Sequence, residues 1–306
     1  MQNCRKPDFL GIGAPRTGSS WLWLAMLEHP QIWMPPRKEL HYFTRNEKYP
    51  TPGQLSKDYA WQRLFGRDQN CRKWKQELGK DVSRVLDGRM KWADVPWLVR
   101  YYFGTVNNDW YFSLFSAAPP GKVVGEITPD YGQLDWNDIQ KLHALLPNVK
   151  IIYQMRNPVE RSWSHLRFSL AKHGANINDL SIPELMDLLD QPSLQRSSDY
   201  VETLRRWRAV YPASQIHVLF YEQIEQTPQQ LLAGLFQFLG VDDSFQVSEA
   251  RLNSRINAAR SKEMPAEIRR KLTEFHYPQV VELAPLVDGG YAEHWLEEFR
   301  SWLESA

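Results

Sequence analysis

Cysteine is nearly absent: Cys4 and Cys71 are the only two in 306 residues, and their spacing fits neither a zinc site nor a disulfide framework. Free thiols, a reducing compartment, a cytoplasmic location and no metal are therefore expected. Long apolar runs are missing as well. No stretch approaches the ~18 residues a membrane helix needs, and residues 1–8 carry no apolar core of a leader, so neither signal peptide nor membrane span is expected. Charge of one sign is not in excess either: 37 Lys+Arg against 36 Asp+Glu leave a formal net charge of +1. No overall field draws this chain to nucleic acid or anionic lipid, and any anion must be met locally. Internal repeats and flexible linkers are absent, while 42% hydrophobic residues exclude a disordered chain.

What is present alternates. Phe9–Gly13 is a short apolar run closed by glycine, and residues 19–28 place Trp21, Leu22, Leu24, Ala25 and Leu27 with helical spacing. Further strands are expected at 122–126, 149–154 and 215–220, with helices at 138–146, 158–171 and 200–210 between them. Strand alternating with helix predicts an α/β fold with a mostly parallel sheet flanked by helices. Residues 48–121 break the pattern, with Trp61, Trp74, Trp92, Trp97 and Trp110 scattered through polar sequence and one helix expected at 96–115. This stretch reads as a Trp-rich insertion in a single domain spanning 1–306. Two closing helices are expected at 265–276 and 292–302.

The segment from Gly11 to Ser20 joins the first strand to the first helix, the setting in which backbone N–H groups and a helix N-terminus hold a phosphate. Against the nucleoside-triphosphate pattern G-x-x-x-x-G-K-[ST], Gly13, Gly18 and Ser20 fit, but Ser19 stands where lysine belongs and the nearest cation is Arg16. A dinucleotide fingerprint fails because Arg16 occupies the third glycine position. A second segment, from Ile151 through Arg156, Pro158 and Arg161 to Ser164, reads as strand, proline-started helix and a serine two turns in, so Arg156 and Ser164 can converge on one phosphate. Taken singly, Arg156 fits a salt bridge with Glu160 equally well.

In their order and separation these two segments resemble the phosphate-binding loops of sulfotransferases that use 3′-phosphoadenosine 5′-phosphosulfate, whose sheet is similar to that of nucleotide kinases. The resemblance implies cofactor binding by Arg16, Thr17, Gly18, Ser19 and Ser20 at the 5′ end and by Arg156 and Ser164 at the 3′-phosphate. It also places Tyr221 in the adenine pocket and Arg260, Ser261 and Lys262, with Arg255, in a closing basic loop. For the basic run a solvated stretch before a helix is an equal reading, and for Tyr221 a core position is.

Sulfuryl transfer needs an acceptor O–H or N–H deprotonated as it attacks sulfur, so one base opposite the phosphate loop is the minimum equipment. The segment Arg37-Lys38-Glu39-Leu40-His41 is similar to that of the heparan-type sulfotransferases and their bacterial relatives, in which a glutamate before an aromatic pair is the base. That similarity implies Glu39, with His41 as rival base or as the residue that orients Glu39. In an extended segment the two would point the same way. Residue type alone would make Lys38-Glu39 a solvated turn. Arg16 would neutralise charge on the leaving oxygen. In Glu126-Ile127-Thr128 the lysine of the heparan-type pattern is replaced by Ile127, which weighs against a heparan-like polymer as acceptor. The insertion's tryptophans are read as core or as a stacking platform for a flat acceptor.

The expectation is thus transfer of the sulfuryl group of 3′-phosphoadenosine 5′-phosphosulfate, leaving 3′-phosphoadenosine 5′-phosphate, to a hydroxyl or amine of a carbohydrate or glycolipid. A nucleotide kinase and a non-catalytic nucleotide-binding relative are the rivals. No nucleic acid partner is expected, and the sequence specifies no oligomeric state.

Overall fold

A computed structural model describes residues 4–49, 55–191, 196–254 and 263–304. Five strands form one parallel sheet: β1 (Phe9–Gly13), β2 (Ile32–Trp33), β3 (Val123–Ile127), β4 (Lys150–Met155) and β5 (Ile216–Phe220), in the order β2-β3-β1-β4-β5. The strands are apolar on both faces because both faces are covered. Leu10, Ile12, Val124, Ile151 and Tyr153 point into one hydrophobic cluster. Phe9, Ile127, Ile152 and Leu219 point into the other. Central β1 and its neighbour β4 end side by side, and in such sheets ligands bind outside the carboxyl ends of the strands.

Fourteen helices lie among the described residues. α1 (Ser19–Met26) follows β1; α2 (Ala60–Phe65), α3 (Gln69–Leu86), α4 (Val95–Phe103) and α5 (Asn108–Ser113) fill the stretch between β2 and β3; α6 (Trp136–Leu145) leads to β4. α7 (Pro158–Lys172), α8 (Ile182–Leu189) and α9 (Tyr200–Arg208) separate β4 from β5. α10 (Tyr221–Gln226), α11 (Pro228–Leu239), α12 (Glu249–Leu252), α13 (Ala266–Leu283) and α14 (Tyr291–Glu304) complete the chain. None of the described helices is long and apolar enough to cross a membrane.

Four strands fall within a residue of their expected bounds, and the two-residue β2 is an addition too short to show periodicity. The helix expected at 96–115 is two. Gly104 leaves α4 in an extended conformation, and Asn107 accepts the Trp110 N–H at 2.8 Å to start α5. The helix expected at 265–276 continues as α13 to Leu283, through Pro278. Within the stretch 48–121, Trp74, Trp97 and Trp110 are core residues, and only Trp61 and Trp92 of the five face solvent.

Candidate functional site

The loop after β1 is built on two glycines in the left-handed half of backbone space. Gly13 has φ 137°, and a Cβ there would come within 2.5 Å of the Pro129 carbonyl; Gly18 has φ 91°, and a Cβ there would come within 2.6 Å of Ile224. Between them the buried Thr17 hydroxyl donates to the Ala14 carbonyl at 2.6 Å, and the Ala14 N–H donates to the Gln154 carbonyl at 2.6 Å, fastening the loop to β4. Gly18 caps α1 without a side-chain acceptor, so no side chain caps the first-turn N–H groups that lie beside the Ser19 and Ser20 hydroxyls. Beside Gly18 lies Gln154, 2% exposed, with neither its amide nitrogen nor its amide oxygen hydrogen-bonded among the described residues. A buried amide without partners beside a helix start suits a polar ligand better than an apolar one.

Across the β1–β4 seam, Arg16 (φ 71°) donates from Nε to the Ser164 hydroxyl at 3.3 Å and lies 4.6 Å over the Phe168 ring. Burial, with Arg156 and Arg167 close by, lowers its pKa. Arg156 lies 4.3 Å over Tyr221 and 3.9 Å from Glu160. Ser164 thus contacts Arg16, while Arg156 faces Tyr221 and makes the weak ion pair to Glu160 that residue type suggests. Arg161, in the same segment, is fully buried and donates to Ser198 at 2.7 Å, a structural role. Arg16, Arg156, the Ser164 hydroxyl and the Phe168 and Tyr221 rings thus gather on this side of the loop.

The segment 37–41 reaches the same loop from another side. Arg37 is buried, ion-paired with Asp81 and with Glu77 at 2.8 Å, and donates to the Tyr102 hydroxyl at 2.8 Å, which pins residue 37 to α3 and α4. Lys38 then reaches the phosphate loop: its ammonium lies 2.8 Å from the Ser19 hydroxyl, 3.4 Å from Ser20 and 3.4 Å from the Glu39 carboxylate. The His41 ring is 3.2 Å from Glu39 on one side and 3.6 Å from Asp130 on the other. Glu39 and His41 meet as expected, though by a different route: His41 adopts φ 54°, so a left-handed turn and not an extended strand brings its ring back. Burial alone would raise the Glu39 pKa, but the His41 hydrogen bond and the Lys38 charge hold it at about 2. Burial likewise opposes a charged His41, and Glu39 and Asp130 outweigh it, raising that pKa.

Beneath this segment is a layer that sequence reasoning missed. Glu126, 2% exposed, accepts from the Tyr111, Thr128 and Tyr131 hydroxyls at 2.7, 2.7 and 2.9 Å. Thr128 in turn accepts the Leu40 N–H at 3.1 Å, and Tyr131 the Tyr42 N–H at 3.0 Å. Burial raises the Glu126 pKa in spite of its three donors. Ile127 points into the core against Gly11 and has no place in the crevice. Arg255, Arg260, Ser261 and Lys262 lie outside the described residues. No cluster of three or more His, Cys, Asp or Glu suited to a metal occurs among the described residues.

Comparison with known proteins agrees with this architecture. The chain is 24% identical to mouse Carbohydrate sulfotransferase 15 over 92% of its own length and 53% of that protein's. Over 33% of its length it is 26% identical to the Drosophila melanogaster bifunctional heparan sulfate N-deacetylase/N-sulfotransferase, of which it covers 11%. It therefore spans about half the length of the curated relatives that match most of it. In fold it is similar to a sulfotransferase from Alicyclobacillus acidocaldarius, with a TM-score of 0.62 at 21% identity, covering 94% of this chain and 99% of that one. The sequence model described as the Sulfotransferase family matches residues 7–245, and with the loop, sheet order and crevice above, the chain belongs to that family.

Proposed function

We propose that this chain, as a single domain, transfers the sulfuryl group of 3′-phosphoadenosine 5′-phosphosulfate to a hydroxyl or amine of an acceptor, with Glu39 as general base. The observation that carries the reading is the position of Glu39: tied through Lys38 to the first turn of α1, it stands across the crevice from the loop that would hold the donor's 5′ end. The Arg16, Arg156 and Ser164 group suits the 3′-phosphate, and Tyr221 beside Arg156 suits the purine. When bound, the donor supplies a sulfuryl group whose bond to the 5′-phosphate oxygen breaks as the acceptor attacks sulfur, the electron pair staying on that oxygen. Glu39 takes the acceptor's proton in the same step. His41 fixes the carboxylate through its 3.2 Å contact and is itself held by Asp130. First-turn N–H groups of α1 face the charge that builds on the leaving phosphate.

A carbohydrate acceptor is supported by the similarity to a carbohydrate sulfotransferase and to a heparan sulfate N-sulfotransferase. Three of the five insertion tryptophans are core, which leaves Trp61 and Trp92, both on the outer surface, as the remaining stacking candidates.

The deciding experiment pairs Glu39→Gln with His41→Ala. Glu39→Gln should lower kcat by ~10²–10⁴, the usual worth of a general base, and leave the affinity for 3′-phosphoadenosine 5′-phosphate within about twofold. Abolished transfer in His41→Ala beside near-normal transfer in Glu39→Gln would make His41 the base.

A further inference from the structure

We propose, resting on the donor reading above, that Lys38 is a second cation of the loop after β1, beside Arg16: it binds the 5′ end of the donor and is thereby withdrawn from Glu39. Ser19 occupies the position at which nucleotide-binding loops of this pattern carry lysine, and the Lys38 ammonium returns to that place through space, 2.8 Å from the Ser19 hydroxyl. Arg16, though its charge reaches Lys38, is held by other partners. Its guanidinium bonds Ser164 and covers Phe168, on the side of the crevice assigned to the 3′-phosphate. Lys38 is also a built feature and not a surface lysine, since its side chain is 11% exposed and its neighbour Arg37 is locked to Asp81 and Glu77.

An ammonium carries three donors, here spent on two hydroxyls and a carboxylate. A phosphate oxygen in the first turn of α1 is a stronger acceptor than either hydroxyl, because the helix start and the Gln154 amide favour the same ligand. When Lys38 turns to it, Glu39 keeps His41 as its cationic neighbour and gains a nearby negative charge, so the carboxylate becomes more basic only when the donor is in place. The charged groups around this pair are Arg16 and Asp130 near Lys38, and Asp130 and Lys73 near His41.

Calorimetric titration of the full chain with 3′-phosphoadenosine 5′-phosphate and with adenosine 3′-phosphate tests this. Lys38→Met should weaken the first ligand by about tenfold to a hundredfold, the worth of a hydrogen bond to a charged group, and leave the second, which lacks a 5′-phosphate, within about twofold. Lys38→Arg should recover part of the loss. Titration at pH 4 in buffers of different ionisation enthalpy should show more proton uptake in the wild type than in Glu39→Gln. Equal affinity of wild type and Lys38→Met for both nucleotides would overturn the assignment of Lys38, and equal proton uptake with and without Glu39 would overturn its release of the base. A wild-type chain that binds adenosine 3′-phosphate and 3′-phosphoadenosine 5′-phosphate equally would refute Lys38, whereas one that binds neither would refute the donor reading itself.

Discussion

Replacing Glu126 by glutamine separates the support of the base segment from the site itself. The carboxylate accepts three hydroxyl protons within 2.9 Å and is almost completely buried. An amide offers one oxygen in place of two and turns an N–H pair toward hydroxyls that were donating. At least one of Tyr111, Thr128 and Tyr131 must then reverse or lose its partner, at a cost of about 1.5–3 kcal/mol for a hydrogen bond to a charged group. At about 2–4 °C per kcal/mol for a protein of this general size, Tm should fall by roughly 3–12 °C. Thr128 and Tyr131 hold the Leu40 and Tyr42 N–H groups, so the disturbance reaches Glu39 and His41 from below. A shift of about an ångström at a reacting group costs on the order of 10²-fold in rate. Glu126→Gln should therefore lower kcat by ~10²-fold while 3′-phosphoadenosine 5′-phosphate binds as before, because the loop and the arginine cluster are untouched. Scanning calorimetry, steady-state kinetics and nucleotide titration read the three quantities separately. A drop in Tm with unchanged kcat would refute the reasoning, since the network would then hold the fold without holding the base.

Arg156→Ala should weaken 3′-phosphoadenosine 5′-phosphate by an amount equivalent to ~1.5–3 kcal/mol and spare adenosine 5′-phosphosulfate; an equal loss for both would assign Arg156 to the fold, and parallel titrations decide. Arg37→Met removes one partner of a buried ion pair and should cost less, in a denaturant melt, than the ~3–5 kcal/mol of an uncompensated buried charge, because Asp81 keeps Arg84 at 2.9 Å and the Tyr102 hydroxyl at 2.6 Å. The His41 pKa is raised in the fold, so the contribution of the charged ring to stability is full below the unfolded value of 6.5 and is lost as pH rises through the folded value. Melts across pH should accordingly show wild type gaining on His41→Gln toward acid, until Glu39 begins to protonate near 2. Mg-ATP at equal concentration should raise Tm much less than 3′-phosphoadenosine 5′-phosphate does.

The sheet was legible because β1, β3, β4 and β5 are short, largely apolar runs set between helical periodicities, and the loop between β1 and α1 because Gly13 and Gly18 are required by φ and by close neighbours. Glu39 was legible only through resemblance. Its position depends on Arg37, whose partners Glu77, Asp81 and Tyr102 lie 40 to 65 residues away, a pairing that no local spacing announces. The same holds for Asp130 behind His41 and for Glu126 beneath both. Lys38 looked like half of a solvated charge pair because its partners Ser19 and Ser20 belong to another element. The contact of Arg16 with Ser164 was not legible, since a backbone turn at φ 71° decides where the Arg16 side chain goes.

The parallel sheet has a consequence for how the protein reaches its working state. No two of its strands form a hairpin: Ile151 pairs with Ile216, Ile32 with Val123, Phe9 with Gly125 and with Lys150. Every rung of the ladder closes a chain loop of at least 65 residues before any hydrogen bond rewards it. Such long closures make for slow folding, with apolar strands exposed while they wait for partners. The loop after β1, where the donor is proposed to bind, sits on the seam between β1 and β4, the pairing with the longest closure of all. Nucleotide binding should therefore be the last property to return on refolding, after helical signal and after most tryptophan burial, and a ligand present during refolding should select chains in which that seam has closed.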